Sequence, residues 1–346
     1  MEKITTVGID LAKSVFQVHG VEALGQVMLS KAVRRSGLLA LMAKLPPCLI
    51  GMEACASAHY WARELIKLGH EVRLIPPAYV KAYVRRQKND AADAAAICEA
   101  VSRPSMRFTP VKSAEQQSVL MLHRVRALLV GQRTALICAL RGHLAEFGVV
   151  APRGPRNIAP LLEILADEAD GRVPALARRA LAPLVAQLGA LQAGIEGLDQ
   201  QLLDWHRASE VSQRLATIPG VGIITATALA ATIAEPAMFA SGREFAAFLG
   251  LVPRQASSGG KERLGRISKM GDRYLRTLLV VGATAVLRHA KAKRSSTRVW
   301  AEGLLARKPF KLVAVALANK TARIAWAVMA RGETYRDQQE PRAMAA

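Results

Sequence analysis

The β-type segments of this chain all lie in its first third, so a sheet is expected at the N-terminal end. Short runs rich in Val and Ile occur at 4–10, 15–22 and 26–33, and two more, at 48–55 and 71–77, alternate with helical stretches. The first three runs indicate a β-meander, and the alternation that follows indicates an α/β domain with a mixed sheet. The sequence therefore predicts an α/β domain at the N-terminal end.

Helical patterns replace the β-type runs after about residue 113. Two long amphipathic stretches, roughly 113–147 and 174–210, flank a proline-containing loop, and this arrangement predicts a helical hairpin or coiled-coil arm suited to dimerisation. The remainder is helical, basic and punctuated by glycines. We expect four segments: an α/β domain (1–110), a helical coiled-coil region (111–210), a C-terminal helical domain (211–340) and a short tail (341–346).

The charge balance limits the classes of partner. Lys and Arg number 48 against 27 Asp and Glu, a net charge of +21. Such an excess repels itself unless a polyanion neutralises it, so nucleic acid is the leading partner and a membrane surface the second. No run of 18 uncharged apolar residues and no signal-peptide pattern occur, which predicts a cytoplasmic protein with no membrane span. The cysteines form no CxxC pair and are predicted to be buried, reduced hydrophobic residues: Cys48, Cys55, Cys98 and Cys138.

Four acidic residues have the pattern of a metal site. Asp10 ends one apolar strand-like run, and Glu53 lies in the middle of another. Asp90 and Asp93 share one face of a predicted helix because they are three residues apart. A carboxylate in an apolar strand is costly to bury unless it is paired or bound to a metal. Together the four predict a site for two Mg²⁺ ions, with Mn²⁺ able to substitute, suited to displacement at a phosphodiester.

A glycine-containing turn between two predicted helices forms a second motif. The segment Pro219-Gly220-Val221-Gly222 resembles the turn of a helix-hairpin-helix, in which backbone N–H groups receive a DNA phosphate. The alternative is a simple corner between helices that uses glycine for its positive φ angle. The basic surroundings favour phosphate binding through Gly220 and Gly222.

A basic loop near residue 258 forms the third motif. Ser257 and Ser258 precede two glycines, and a serine in such a place is either a nucleophile at phosphorus or simply a turn residue. From the residues alone, the turn is the simpler explanation. Cations that could hold phosphates follow the serines or precede the helix of Asp90: Lys261, Arg263, Arg266, Lys269, Arg273 and Arg276, and Arg85, Arg86 and Lys88.

Taken together, these segments resemble a known family. VGIDLAKSVFQVHG, GMEAC, KNDAADAAAI, ATIPGVGIITATALAATI and GLVPRQASSGGKERLGRISKMGDRYLRTLLV look like the DEDD transposases of bacterial insertion sequences, which include Piv-type DNA invertases and bridge-RNA-guided recombinases. The resemblance implies a RuvC-like, RNase H-fold domain, a coiled-coil arm and a C-terminal transposase domain. It also implies that Asp10, Glu53, Asp90 and Asp93 bind metal and that Ser258, or its neighbour Ser257, is the nucleophile.

The implied function is that of an insertion-sequence transposase or site-specific recombinase. It would cut and rejoin DNA with Mg²⁺ and a serine, guided by a structured bridge RNA, as a homodimer or tetramer. Two alternatives remain: a RuvC-like junction-resolving nuclease without a covalent intermediate, and a non-catalytic nucleic-acid-binding protein. Metal-dependent turnover separates the last from both enzymes, and a covalent protein–DNA adduct separates recombinase from nuclease.

Overall fold

The structure is a computed structural model that describes residues 3–83, 89–288 and 296–337. The chain divides into two compact units, which we treat separately. The N-terminal unit comprises Met1–Gln117 with Ile233–Glu235, and the C-terminal unit comprises Ser118–Thr232 with Pro236–Ala346. The predicted finer division at residues 110, 210 and 340 stays a prediction.

A five-stranded mixed sheet forms the centre of the N-terminal unit, in the order β3-β2-β1-β4-β5. The first three strands form the predicted antiparallel meander, and β4 and β5 run parallel to β1. This arrangement is consistent with the RNase H-like fold that the resemblance implies. The strands are β1 Thr6–Asp10, β2 Val15–Val21, β3 Val27–Arg34, β4 Leu49–Glu53 and β5 Glu71–Ile75.

Helices cover both faces of this sheet. Side chains alternate along the strands, so that Val7, Ile9, Ile50 and Met52 pack into a core with Trp61 on one face. The opposite face packs against α4, which contacts β1, β2 and β4. The helices are α1 Leu38–Met42, after a 3₁₀ turn at Arg35–Gly37, α2 Ala58–Lys67, α3 Pro77–Val80 and α4 Asp90–Val101.

The C-terminal unit is mainly helical. Its two longest helices pair: Arg126 and Asp199 form an ion pair, and Arg133 donates a hydrogen bond to Gln192 at 2.8 Å. A coiled-coil arm and its role in dimerisation remain predictions. The helices are α5 Ala114–Ala145, α6 Ala159–Ala166, α7 Ala175–Ala208, α8 Glu210–Ala216, α9 Ile223–Thr232, α10 Gly242–Phe248, α11 Arg273–Arg288, α12 Ser296–Leu305 and α13 Phe310–Arg331.

A two-stranded antiparallel hairpin interrupts these helices. Its strands are β6 Pro253–Gln255 and β7 Leu264–Ile267, where the sequence predicted only a loop. The prediction was wrong because both strands are very short, one begins with proline, and almost all their residues are exposed, so no apolar alternation marks them. Gly259 and Gly260 have φ angles of +57° and +76°, and such a pair of glycines is itself a hairpin signal.

Burial of the cysteines matches the prediction only in part. Cys48 and Cys98 are buried, whereas Cys55 is half-buried and Cys138 on α5 is exposed. Burial raises the pKa of the Cys48 and Cys98 thiols to about 11, which keeps them protonated and inert at neutral pH. The prediction of a buried hydrophobic residue was wrong for Cys138.

Among the described residues, two helices are long and apolar enough to cross a membrane by length and composition, α7 and α13. The sequence predicted no membrane-spanning helix, because charged residues interrupt every apolar run. In the structure α13 buries Val313, Leu317 and Ala322 in the C-terminal unit, and α7 pairs with α5. Core helices of globular proteins can have the same length and composition, so these two properties do not by themselves make α7 or α13 a membrane span.

A buried histidine joins three helices of the C-terminal unit. His123 on α5 is 1% exposed, and its Nδ1 and Nε2 atoms lie 3.1 Å from the Tyr274 and Thr227 hydroxyl oxygens, respectively. The Thr227 hydroxyl donates to the carbonyl of Ile223 at 2.8 Å, so it accepts from Nε2–H. The Tyr274 hydroxyl therefore donates to Nδ1, and the ring is held in its neutral form.

This histidine should make the free energy of unfolding depend on pH. Burial, reinforced by the charge of Arg126, lowers the pKa of His123 from its ordinary 6.5 to about 4. The stabilisation is therefore complete above about pH 6.5 and lost as the pH falls towards 4, about 3 kcal/mol in all. Urea unfolding between these pH values should show that loss. A His123→Gln variant, whose amide offers one donor group and one acceptor but does not titrate, should show a shallower dependence; an unchanged slope would contradict the assignment.

Candidate active site

Two glycines allow α4 to lie directly on the sheet. The strand register pairs Gly8 of β1 with Gly51 of β4. A Cβ atom on Gly8 would come within 2.2 Å of the Ala94 carbonyl oxygen, and one on Gly51 within 2.8 Å of the Val101 Cβ. Only glycine therefore permits this approach, and it brings the N-terminal end of α4 to the carboxyl ends of β1 and β4.

Three of the four predicted acids meet at that point. Ligand oxygens of Asp10, Asp90 and Asp93 all lie within 4.8 Å of one another. Asp10 is the last residue of β1, two residues after Gly8 and so on the same face of the sheet. Asp90 and Asp93 lie in the first turn of α4, which Asn89 caps by accepting a hydrogen bond from the Ala92 N–H at 2.8 Å. The i, i+3 spacing thus directs both carboxylates towards the end of β1.

Glu53 lies at the equivalent place on the neighbouring strand. The register pairs Ile9 with Met52, so Asp10 and Glu53 are the next residues on two parallel strands whose backbones run about 4.8 Å apart. Glu53 ends β4 rather than lying in its middle, which corrects the sequence-based placement. Its carboxylate is not part of the group of three, although its backbone is adjacent.

A cysteine that the sequence analysis did not connect with this site lies beside the acids. The negative charges of Glu53 and Asp10 both add to burial in raising the pKa of the Cys55 thiol. These effects keep the thiol protonated at neutral pH. Its position two residues after Glu53 was the available signal.

The two candidate serines differ in what their hydroxyls contact. The chain turns through Gly259 and Gly260, closed by a hydrogen bond from the Lys261 N–H to the Ser258 carbonyl at 3.1 Å. The Ser257 hydroxyl accepts a hydrogen bond from the N–H of Arg263, the residue before β7, at 3.2 Å, which ties it to the other side of the hairpin. The Ser258 side chain is exposed at the tip and makes no hydrogen bond to the described part of the chain.

The predicted phosphate-binding cations separate into three groups. The first, which the structure leaves exposed on the hairpin or just after it, comprises Lys261, Arg263, Arg266, Lys269 and Arg273. Arg276 instead donates from Nη1 to the carbonyl oxygens of Leu249 and Met270, at 2.9 and 2.8 Å, so it supports the loop before α11. The third group, Arg85, Arg86 and Lys88, lies outside the described residues.

The glycine-containing turn between α8 and α9 has a structural role. Gly220 has a φ angle of +84°, and a Cβ atom there would lie 2.9 Å from the carbonyl oxygen of Gly282 on α11. The turn therefore packs closely on α11 through this glycine. Gly222 is exposed directly before α9, whose first N–H groups, as at any helix start, lack intrahelical acceptors. Phosphate binding at this turn remains a prediction.

Two models of known families match the chain. Residues 212–298 match the transposase IS116/IS110/IS902 family, and residues 7–148 match a model of DEDD transposases of the IS110 type. A Pseudomonas aeruginosa protein named "Probable family 20 transposase" is 51% identical over 96% of this chain and 99% of its own length. This chain belongs to the IS116/IS110/IS902 family of transposases.

Other members of the family are similar over the same length. The transposase for insertion sequence element IS1328 of Yersinia enterocolitica is 41% identical over 97% of this chain and 99% of its own. The transposase for IS1111A of Coxiella burnetii is 43% identical over 97% of this chain and 92% of its own. The protein is therefore a DNA transposase, and the acidic cluster agrees with the use of a divalent metal in a DEDD transposase.

Enlarging Gly8 should impair this transposase by moving its acids apart. In a Gly8→Ala variant the new methyl group clashes with the Ala94 carbonyl, so α4 must shift and carry Asp90 and Asp93 with it. A shift of about 1 Å can reduce a rate by about 10²-fold, and overpacking costs about 1–3 kcal/mol of stability. DNA cleavage rates and urea unfolding measure the two effects.

A matched control lies in the same unit. At Gly37 an added Cβ atom would meet only a Val33 methyl group at 3.6 Å, an ordinary contact. Gly37→Ala should therefore leave cleavage unchanged. Wild-type cleavage by Gly8→Ala would show that the close approach of α4 does not position the acids.

Proposed function

We propose that this transposase is a site-specific DNA recombinase that cuts and rejoins DNA with a metal-binding DEDD site and a serine nucleophile. The observation that carries the proposal is the convergence of the Asp10, Asp90 and Asp93 carboxylates at the ends of β1 and α4. Like charges at such short distances repel one another, and a bound cation relieves that repulsion. Glu53, on the adjacent strand, completes the set.

The donor set suits Mg²⁺, because carboxylate oxygens are the ligands this hard cation takes from proteins. We propose two ions held by Asp10, Glu53, Asp90 and Asp93, with Mn²⁺ able to substitute. When bound, the ions supply charge to a phosphate and stabilise the attacking and leaving oxygens of an in-line displacement. The contribution of the chain is to hold the ligands on a strand end and a capped helix.

The proposed covalent step uses Ser258. Its Oγ forms a bond to a backbone phosphorus, and the bond from that phosphorus to a sugar oxygen breaks. The serine proton is transferred to the released sugar oxygen, which leaves as a hydroxyl. Rejoining runs the same exchange in reverse with a different sugar hydroxyl. The free Ser258 hydroxyl at the hairpin tip favours this residue over Ser257, whose hydroxyl already accepts a hydrogen bond.

The surroundings of Ser258 support phosphate binding. Lys261, Arg263 and Arg266 are exposed on the same hairpin and can offset the charge of the phosphodiester. A serine hydroxyl is a weak nucleophile, and no carboxylate of the DEDD set is near it in sequence. The proposal therefore requires Ser258 and the four acids to act on one phosphodiester, within one chain or between chains of a homodimer or tetramer.

A structured guide RNA would choose the target by base pairing. The net charge of +21 suits the binding of a polyanion, and no segment dense in Asn, Gln and Arg stands out for reading base edges. Pairing with RNA would leave the protein to bind phosphates and helix shape. Purification from a host that expresses the flanking non-coding DNA, followed by RNA sequencing, tests this. Unchanged target choice after complete RNase treatment would refute it.

The enzyme is proposed to act in the bacterial cytoplasm, associated with the nucleoid. The deciding experiment incubates the protein with element-end DNA and Mg²⁺ and then separates the products on a denaturing gel. A protein-linked DNA species supports recombination through serine. Metal-dependent nicking without such a species supports the RuvC-like junction nuclease instead, and the absence of both products refutes the catalytic proposal.

A further inference from the structure

A groove of about 1000 Å³ lies in the C-terminal unit between the base of the serine hairpin and α10, α12 and α13. Its apolar surface includes Leu251 and Ile267, from the two ends of the hairpin, together with the indole rings of Trp300 and Trp326. Two of the four tryptophans of the chain therefore face one groove. Such a surface offers a flat aromatic group a place to stack.

The charged residues of this groove have a single sign. Arg243, Lys320 and Arg323 contribute to its wall, and none of the described residues that line it is acidic. The Lys320 ammonium lies 4.7 Å from the centre of the Trp300 ring. Partial burial lowers the pKa of Lys320, as does the charge of Arg323, while Asp337 raises it. The groove thus combines an apolar, aromatic surface with cations that attract an anion.

Hydrogen bonds hold the groove in shape. The Asn319 amide on α13 donates to the Leu251 carbonyl at 3.1 Å, which fixes the hairpin base to that helix. The Trp326 indole N–H donates to the Pro236 carbonyl at 3.1 Å, which fixes that ring. Trp300 keeps 36% of its surface exposed, so part of this residue is open to a ligand.

The groove is also close to the proposed nucleophile. Pro253, which lines it, is five residues before Ser258, a separation of at most roughly 17 Å along an extended strand. A DNA strand that passes Ser258 can therefore reach the groove within a few nucleotides.

We propose that this groove binds an unstacked nucleotide of the substrate DNA strand, with the base against Trp300 and the phosphate held by Arg243, Lys320 and Arg323. An aromatic face beside cations suits a single strand, whose bases are free to stack, better than a duplex, whose bases are already stacked. DNA is the source because the family is one of DNA transposases. The inference rests on DNA binding by the proposed recombinase but not on the identity of the nucleophile.

The test measures binding of the full chain without chemistry. Fluorescence anisotropy in EDTA compares a single-stranded DNA of about 20 nucleotides with the duplex and with single-stranded RNA of the same sequence. Trp300→Ala should weaken the single-stranded DNA complex about 10-fold, Trp300→Phe much less, and neither should change duplex binding. Val299→Ala, an exposed position on the same helix outside the groove, is the matched control and should bind as wild type.

Two further readouts locate the nucleotide. The slope of log affinity for single-stranded DNA against log salt concentration should be shallower in Arg323→Gln, by the amount that about one phosphate contact contributes. Photocrosslinking of an oligonucleotide that carries iododeoxyuridine should label the peptide containing Trp300. Wild-type single-strand affinity in Trp300→Ala, or equal losses for single strand and duplex, would overturn the proposal. A loss confined to RNA would overturn the assignment to DNA.

Because this assay contains no metal, it is independent of the covalent-adduct experiment. If the wild type forms the serine adduct and Trp300→Ala binds single-stranded DNA as tightly as the wild type, only the groove proposal is refuted. If the wild type forms no adduct and Trp300→Ala loses affinity for single-stranded DNA, the groove proposal is supported and only the serine step is refuted.

Discussion

Replacing Asp10 by asparagine should abolish metal-dependent DNA cleavage by this transposase while its fold stays intact. Asp10 is the strand-end member of the group of three carboxylates, and an amide in its place removes a charged ligand from the proposed metal site. Metal ions supply several kcal/mol of transition-state stabilisation, and about 4 kcal/mol corresponds to a rate loss of about 10³-fold. Stability should not fall, because the substitution removes a charge from a cluster of like charges.

Cleavage rates in Mg²⁺ and in Mn²⁺, together with thermal unfolding, measure these effects. Added metal should raise the melting temperature of the wild type and raise that of Asp10→Asn much less, since a ligand that binds only the folded state stabilises it. Glu99→Gln is the matched control, because Glu99 lies on the exposed side of α4 away from the cluster. Cleavage by Asp10→Asn at the wild-type rate, with an unchanged response to metal, would remove the metal-site assignment.

Replacing Ser258 by alanine should eliminate the covalent protein–DNA adduct and all recombination that depends on it. No other group can form the same phosphoserine bond if Ser258 is the nucleophile, so the expected loss is complete rather than partial. Stability should hardly change, because the side chain is exposed and makes no hydrogen bond to the described residues. Denaturing gels after incubation with element-end DNA measure the adduct.

Ser257→Ala separates a nucleophile from a residue that supports the hairpin. It removes the hydrogen bond from the Arg263 N–H, worth about 0.5–1.5 kcal/mol, so activity should fall by about tenfold or less and the adduct should remain. If Ser258→Ala recombines normally and Ser257→Ala does not, the assignment is one residue off. Normal recombination by both variants would refute covalent catalysis by either serine.

Much of the candidate metal site could be predicted from sequence because its signals are local. An aspartate at the end of an apolar run, a glutamate in another and two aspartates spaced i, i+3 are each visible without a structure. Their agreement with a family pattern made the set specific. The placement of Glu53 in mid-strand was wrong because an apolar run does not show where its hydrogen-bonded pairing stops.

The serine hairpin was harder to predict because its strands are short and exposed. Burial on one face is what produces the alternation by which strands are recognised, and this hairpin buries almost nothing. Gly259 and Gly260 were a hairpin signal in the sequence, but no apolar alternation flanks them, so the strands on either side went unrecognised. The contact of Ser257 with Arg263, which distinguishes the two serines, joins residues on opposite sides of the turn between β6 and β7.

The meander followed by alternating strands and helices, the two long helices, the excess of positive charge and the residue types of the DEDD set could all be recognised in the amino-acid sequence. These properties are set by neighbours along the chain, through periodicity and charge. The folded chain was needed to see that Gly8 and Gly51 lie side by side under α4, and that Trp300, Arg243 and Ile267 line one groove. Such contacts depend on strand register and helix packing, which bring together residues that are tens of positions apart in the sequence.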